Sequence, residues 1–313
     1  MTHLTSMRRS KLVGLVILVA IFLSGCGLYR GLARTTEKIG ESITGSDGSL
    51  RKKIGITLLN NQAANVTGPL AGQIQTDIHA KLKAVCPDVI WIGPDEPDYP
   101  AFIRSPALSA SGNFDNVALA RAARKNGYQA IFQLSLLNID VHQYDKGILW
   151  FKKTHQTGRL LWSVAIYDSE TSAKLLNQSY PYDFNTDSND IEAIRQSRLD
   201  EVSGLTDAID RSLVIVSKEI CKTLKTTPWK GFITQVTDNV ITLSSGAGAG
   251  LKAGQELMAY APGEAISGTA GQSYLLQGKK TGKIRITRVM EDQAEAESMG
   301  DTVVESGGMV QTR

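Results

Sequence analysis

Side chains able to do chemistry are few in this chain of 313 residues. Its cysteines are Cys26, Cys86 and Cys221, and its histidines are His3, His79, His142 and His155. A metal site needs ligands at short, regular spacing. No histidine here shares such a motif with another histidine or a cysteine, so no metal centre is expected. His79 follows Ile78 on the flank of a helical pattern, where exposure is expected, and His142 and His155 flank the segment around Ile148. Gly246-Ala247-Gly248-Ala249-Gly250, with Gly254, has the glycine density of a phosphate-binding loop. Such a loop must open a helix whose N-terminus faces the phosphate. Gln255 to Tyr260 reads instead as a strand, which assigns these glycines to a tight corner. Asp77, Asp140, Asp168 and Asp187 suit helix-surface, strand-edge, turn and cap positions, and no serine has an activating partner. No catalytic, cofactor-binding or metal-ligating residue is therefore assigned, and the chain reads as a protein that is not an enzyme.

Cys26 stands in a special place. Arg8, Arg9 and Lys11 precede an uncharged apolar run from Leu12 to Phe22, and Leu23-Ser24-Gly25-Cys26 follows. A basic start, an apolar core and a small-residue cleavage site make the layout of an export signal. The run falls short of the roughly 20 residues that span a bilayer, leaving a short membrane anchor or an ordinary signal as the alternatives. Leu23, Ser24, Gly25 and Cys26 resemble the lipobox of bacterial lipoproteins. That resemblance implies cleavage before Cys26 and a diacylglycerol and N-acyl lipid on its sulfur and amine, with no other cofactor. Two or more acyl chains hold a protein firmly at a membrane, whereas one holds it marginally. The pair Arg8-Arg9 fits a twin-arginine signal poorly, and general secretory export is favoured.

Removal of residues 1–25 takes away Arg8, Arg9 and Lys11 and no acidic side chain, which lowers a formal charge of +3 to zero. A neutral body without a long basic run offers no electrostatic case for nucleic acid. Its densest basic cluster, Arg51-Lys52-Lys53, reads as a solvated strand edge. Cys86 and Cys221 remain as an even pair in an oxidising compartment, each near the end of a helical pattern. They are either a disulfide or two buried thiols.

The patterns that position these residues fall into four stretches: a signal over 1–25, a polar tether over 26–50, an α/β domain over 51–226 and a small β-barrel domain over 228–313. In the third, strands are expected at Ile54–Leu58 and Val89–Ile92, with a helix between them carrying Leu70, Ile74, Ile78, Leu82 and Val85 on one stripe. A helix from Asp115 stops at Gly127, where glycine fills a left-handed cap cheaply. A meander of four strands is expected over Ala130–Val141, Ile148–Thr154, Arg159–Tyr167 and Lys174–Tyr182, with Leu160, Trp162, Val164 and Ile166 facing the core. A last helix carries Leu205, Ile209, Leu213, Val216, Ile220 and Leu224. Beyond Pro228, glycines and short strands suggest a closed barrel. Asp238-Asn239 is its hairpin turn, and the loop from Pro262 to Lys280 is its expected contact loop.

Ile54-Gly55-Ile56, Gly127-Tyr128-Gln129-Ala130-Ile131 and the run Val164 to Leu176 resemble an envelope domain shared by the TolB amino-terminal domain, CsgG and FlgT. Its Asp-x-x-Thr turn is matched by Asp168 and Thr171, although Ser172 stands where many relatives have glycine. Trp229 to Ile233, Gly250 to Tyr260 and Gly282 to Val289 resemble the carboxy-terminal barrel of FlgT, with Gln255 in place of the usual Asp. The implied fold is a mixed α/β sheet with helices followed by a small all-β barrel. The implied role is a lipid-anchored scaffold or assembly factor on the periplasmic face of the outer membrane, its client an envelope complex such as the flagellar basal body. A CsgG-like oligomeric secretion channel and a regulator of cell-wall synthesis are the alternatives, and homo-oligomerisation stays open.

Overall fold

A computed structural model describes residues 50–58, 68–109, 114–148, 150, 152–269 and 272–312. Leu23, Ser24, Gly25, Cys26 and the tether up to Ser49 lie outside the described residues.

Five strands form a sheet in the order β2-β1-β3-β4-β5: β1 (Lys52–Leu58), β2 (Val89–Ile92), β3 (Ala130–Lys146), β4 (Lys153–Asp168) and β5 (Lys174–Phe184). β1 runs parallel to β2 and β3, and β3, β4 and β5 run antiparallel. The parallel pairs are bridged by helices α1 (Gly68–Val85), α2 (Ala101–Arg104) and α3 (Asn116–Lys125), while α4 (Ser188–Arg195) and α5 (Leu205–Thr226) follow the meander. Alternation along the strands divides their side chains between two cores. Phe132, Leu134, Leu136, Leu160, Trp162, Val164 and Ile166 face α1, α4 and α5. Ile131, Ala165 and Tyr167 face the other way, toward Ile103 of α2 and Leu119 and Ala123 of α3.

The long helices form as their spacing predicts. Leu205, Ile209, Leu213, Val216, Ile220 and Leu224 of α5 are all at most 3% exposed. Each such side chain contributes about 1.5 to 3 kcal/mol on burial. Trp162 inserts under this helix and donates its indole N–H to Ser212 Oγ at 2.9 Å, which leaves no buried donor unpaired there. Asp115 caps α3 by accepting from Ala118 N. Asp187 and Asp190 form a capping box on α4.

The expected strand at Ile148–Thr154 does not form. β3 and β4 are one continuous hairpin, paired from Ala130↔Asp168 out to Lys146↔Lys153, and Ile148 belongs to its tip. The meander therefore has three strands. Continuous pairing satisfies more backbone groups than a break at residue 141 would.

From Trp229 onward a separate closed barrel of six strands forms: β6 (Lys230–Thr237), β7 (Val240–Leu243), β8 (Glu256–Tyr260), β11 (Lys280–Val289), β12 (Ala294–Met299) and β13 (Met309–Gln311), ordered β11-β12-β7-β6-β13-β8 and closed by β8 on β11. Asp238 and Asn239 have φ of 47° and 68°, the paired positive values of a type I′ turn. Between β8 and β11, β9 (Ala265–Ser267) and β10 (Ser273–Leu275) form a small hairpin that leaves the barrel. The expected contact loop thus spends its Leu275 end inside the molecule. Leu275 is buried against Val117 and Ala120 of α3, and its N–H donates to Thr171 O at 2.9 Å.

Cys86 and Cys221 form a disulfide that links the end of α1 to α5, with Cα atoms 5.8 Å apart at a sequence separation of 135. Closing so long a loop restricts the unfolded chain by up to about 5 kcal/mol on chain-entropy grounds. The Cys86→Ala/Cys221→Ala protein, or the wild type after reduction, is expected to melt about 10 °C lower in a thermal scan. An unchanged melting temperature would show that the bridge adds nothing.

Candidate functional site

Charged side chains gather where the sheet meets the barrel. Asp168 ends β4, and its carboxylate accepts from Thr171 N at 3.0 Å and Thr171 Oγ1 at 2.7 Å, the turn chemistry expected of Asp-x-x-Thr. Ser172 completes this turn in the left-handed region at φ 57°, the conformation that the glycine of the resembled pattern would adopt without strain. Lys230, the first residue of β6, reaches back into the turn. Its ammonium lies 3.0 Å from Asp168 Oδ1 and also pairs with Glu170 Oε2. All three residues are at most 7% exposed.

Arg124 of α3 closes the cluster from the side. Its guanidinium donates to Ser169 O at 2.6 Å and to Glu170 O, and it covers the ring of Phe232 in β6 at 5.6 Å. Burial lowers its pKa, against the opposing pull of Glu170 and Asp168. Gln129 lies beneath, accepting from Lys230 N at 3.3 Å while its own backbone O accepts from Ser169 N. Gln129 Nε2, Ser169 Oγ and Glu170 Oε1 have no partner within the described protein. The Arg51-Lys52-Lys53 run is not a plain solvated edge. Lys52 donates to Leu224 O at 2.9 Å, and burial, then the Lys230 charge, lowers its pKa. Lys53 sits over the Tyr128 ring at 4.7 Å.

Backbone completes the junction. Arg51 O accepts from the Trp229 indole and Arg51 N donates to Ala249 O at 2.8 Å, so the entry to β1 is hydrogen-bonded into the barrel. Gly127 caps α3 at φ +75°, and a Cβ there would lie 2.0 Å from Ser244 O of the barrel. Its lack of a side chain is needed both by the left-handed cap and by the close approach. These ion pairs and backbone hydrogen bonds hold the sheet and the barrel in one junction.

The histidines separate into two settings. His79 is 2% exposed, which corrects the expectation that it faces solvent. The loop after β2 folds over it: Nδ1 meets Asp95 Oδ1 at 2.5 Å and Nε2 meets Trp91 O at 3.4 Å. A Cβ at Gly93 would lie 2.7 Å from the ring, so glycine there admits the histidine. Both ring nitrogens of His79 are thus engaged by the segment that follows its helix. His142 and His155 are brought together through Tyr144, which stacks on each at ring distances of 6.1 and 5.6 Å. They make a cross-strand aromatic trio on the β3–β4 hairpin. Gly246 to Gly250 form a single turn of 3-10 helix and a barrel corner leading to β8, without the helix that a phosphate loop requires. No group of three or more metal-ligating side chains occurs among the described residues, and no described helix is long and apolar enough to cross a membrane.

Lys230 had no sequence signal, because its carboxylates lie 62 residues away in the case of Asp168. Removing it leaves two buried carboxylates uncompensated, a change that costs about 3 to 5 kcal/mol. Lys230→Met is therefore expected to lower the urea midpoint sharply; a shift within error would mean that the cluster is already solvated. Gly127→Ala should destabilise by at least about 1 to 3 kcal/mol in the same titration, the cost of backbone strain, with the clash of the Cβ against Ser244 O adding to it.

No protein-family description matches the chain, and no curated protein matches it. Among solved structures, the hypothetical protein CT253 of Chlamydia trachomatis is similar at 12% identity and a TM-score of 0.31, over 55% of this chain and 99% of that one. A minor lipoprotein of Acinetobacter baumannii is similar at 12% identity and a TM-score of 0.26, over 55% and 94%. The lipoprotein GNA1162 of Neisseria meningitidis is similar at 10% identity and a TM-score of 0.25, over 48% and 96%. Scores of this size establish neither a common fold nor a common activity.

Proposed function

We propose that this chain is a lipid-anchored protein of the bacterial envelope that acts without catalysis, as a scaffold or assembly factor for a larger machine. The observation that carries the proposal is the use of its three cysteines. Cys86 and Cys221 are paired with each other in a disulfide, which suits an oxidising compartment. Cys26, the third, ends Leu23-Ser24-Gly25-Cys26 at the foot of an export signal, where acylation would use it. Structural disulfides are rare in the cytosol.

In this reading the acyl chains confine the body to a leaflet, on the periplasmic face of the outer membrane, and the tether sets its reach. Confinement raises effective concentration without any new contact. A body whose sheet and barrel are joined by buried ion pairs can then hold partners at fixed spacing. The flagellar basal body and related secretion structures are the clients that the FlgT resemblance favours, with a second copy of the chain and cell-wall synthases as further partners to test. The channel alternative is disfavoured by the β3–β4 hairpin. Its outer part reads His142-Gln143-Tyr144-Asp145-Lys146 and Lys153-Thr154-His155-Gln156-Thr157, polar on both faces, whereas a spanning strand needs one apolar face over about 9 to 11 residues.

Labelled palmitate should enter the wild-type chain in cells and be lost from Cys26→Ser. Equal labelling of both, or of neither, would sink the anchor. Crosslinking in intact envelopes followed by capture should then return components of one envelope assembly reproducibly; capture of a soluble enzyme's substrates instead would overturn the scaffold role.

A further inference from the structure

The β3–β4 hairpin outruns its sheet. β1 accompanies β3 only as far as Leu58↔Leu134, and β5 accompanies β4 only from Gly158↔Phe184 inward. The pairs from His142↔Thr157 to Lys146↔Lys153 therefore form a two-stranded ribbon without a third strand among the described residues, reaching roughly 17 Å at 3.4 Å per residue. At its tip stand Ile148, 79% exposed, and Trp150, 86% exposed, the two most exposed large apolar side chains among the described residues. Around them Lys146, Lys152 and Lys153 are exposed and have no ion-pair partner among the described residues. No acidic residue occurs between Lys146 and Gly158. The nearest, Asp145, already accepts from Thr154 Oγ1 at 2.9 Å.

We propose that this tip is a membrane-docking element, which inserts Ile148 and Trp150 into the interfacial region of an anionic bilayer while Lys146, Lys152 and Lys153 engage lipid phosphates. Tryptophan is suited to that depth because its ring is apolar and its N–H is polar. Lysines on long aliphatic stems can lie along the acyl boundary and keep their charge among the headgroups. The narrow ribbon favours a bilayer over a protein partner. A stable protein interface takes about 800 Å² from each side, far more than two side chains on a two-stranded tip present, whereas a fluid surface closes around whatever is inserted. Polar residues on both faces of the ribbon behind the tip limit the depth to the interface.

The contact deepens the anchored-scaffold reading but does not depend on its lipid. β1 begins beside the start of β3, so Leu50 lies at the end of the sheet opposite the tip. A strand of 17 residues separates the two points, up to about 55 Å. One membrane contact would tether the body and the other would orient it.

The test uses the chain from residue 26 onward carrying Cys26→Ser, which retains the whole compact unit of residues 50–313 and cannot be acylated. It is mixed with vesicles of phosphatidylcholine alone or with one-quarter phosphatidylglycerol, with and without brominated acyl chains. Trp91, Trp162 and Trp229 are at most 5% exposed, so bromine quenching reports on Trp150. Expected are sedimentation with the anionic vesicles, a blue shift and at least twofold quenching of the exposed component, and a loss of binding of tenfold or more in Ile148→Asp/Trp150→Ala. That variant should keep the wild-type melting temperature, because both side chains point to solvent. Lys146→Gln/Lys152→Gln/Lys153→Gln should remove the preference for anionic lipid. No sedimentation, or sedimentation without quenching, would overturn the proposal. Failure here with palmitate still entering Cys26 would leave the anchor standing, and the reverse result would remove the anchor while keeping the tip.

Discussion

The ammonium of Lys230 is the point on which the two halves of this protein turn. It begins the first barrel strand, yet its charge is satisfied by Asp168 and Glu170 in a turn of the neighbouring sheet. An ammonium taken out of water costs several kcal/mol, and that cost is offset only while both carboxylates stay within reach. The barrel cannot move away from the sheet without exposing a broken ion cluster. Arg124 reinforces the constraint from a third direction, because its donors fix the Ser169 and Glu170 carbonyls while its plane covers Phe232.

Other contacts close the same joint with backbone in place of charge. The absent Cβ of Gly127 lets the end of α3 approach Ser244, and the hydrogen bonds around Arg51 tie the entry of β1 to Trp229 and Ala249. At the far side of the sheet the disulfide fixes α1 to α5. The result is a body in which strand, helix and barrel have little freedom relative to one another. Rigidity of this kind serves positioning, and it explains why so many polar groups are spent inside the molecule: Asp168, Glu170, Asp190, His79 and Lys230 are each buried and each engaged by a neighbour.

Periodicity made much of this fold legible. Leu160, Trp162, Val164 and Ile166 alternate in the sequence and are all at most 1% exposed, and the apolar stripes of α1 and α5 are as regular. The Asp238-Asn239 turn was readable from its residue types, since both tolerate positive φ. What was not legible has physical causes. The tip at Ile148 and Trp150 looks like a strand because it is apolar, and turn chemistry shows only at Gly147. α4 lacks a long apolar stripe, although the Asp187 to Asp190 capping box was a signal that could have revealed it. β13 is three residues long and forms only because the barrel closes on it. His79 is hidden by a glycine fourteen positions along the chain, at Gly93, and no local pattern reports that. The cation of Lys230 finds its anions through the fold alone.

Rigidity at the joint also gives meaning to the place where, among the described residues, the most exposed large apolar side chains stand. Ile148 and Trp150 are left exposed at a cost, since each would stabilise the chain if buried. A flexible protein could fold such a tip back on itself. Here the ribbon extends two strands whose inner halves are locked into a sheet clamped by a disulfide and a barrel, so Ile148 and Trp150 are held away from the described cores. Side chains that cannot be buried within the chain can be removed from water only by something outside it, and the surrounding lysines select an anionic surface over a neutral one.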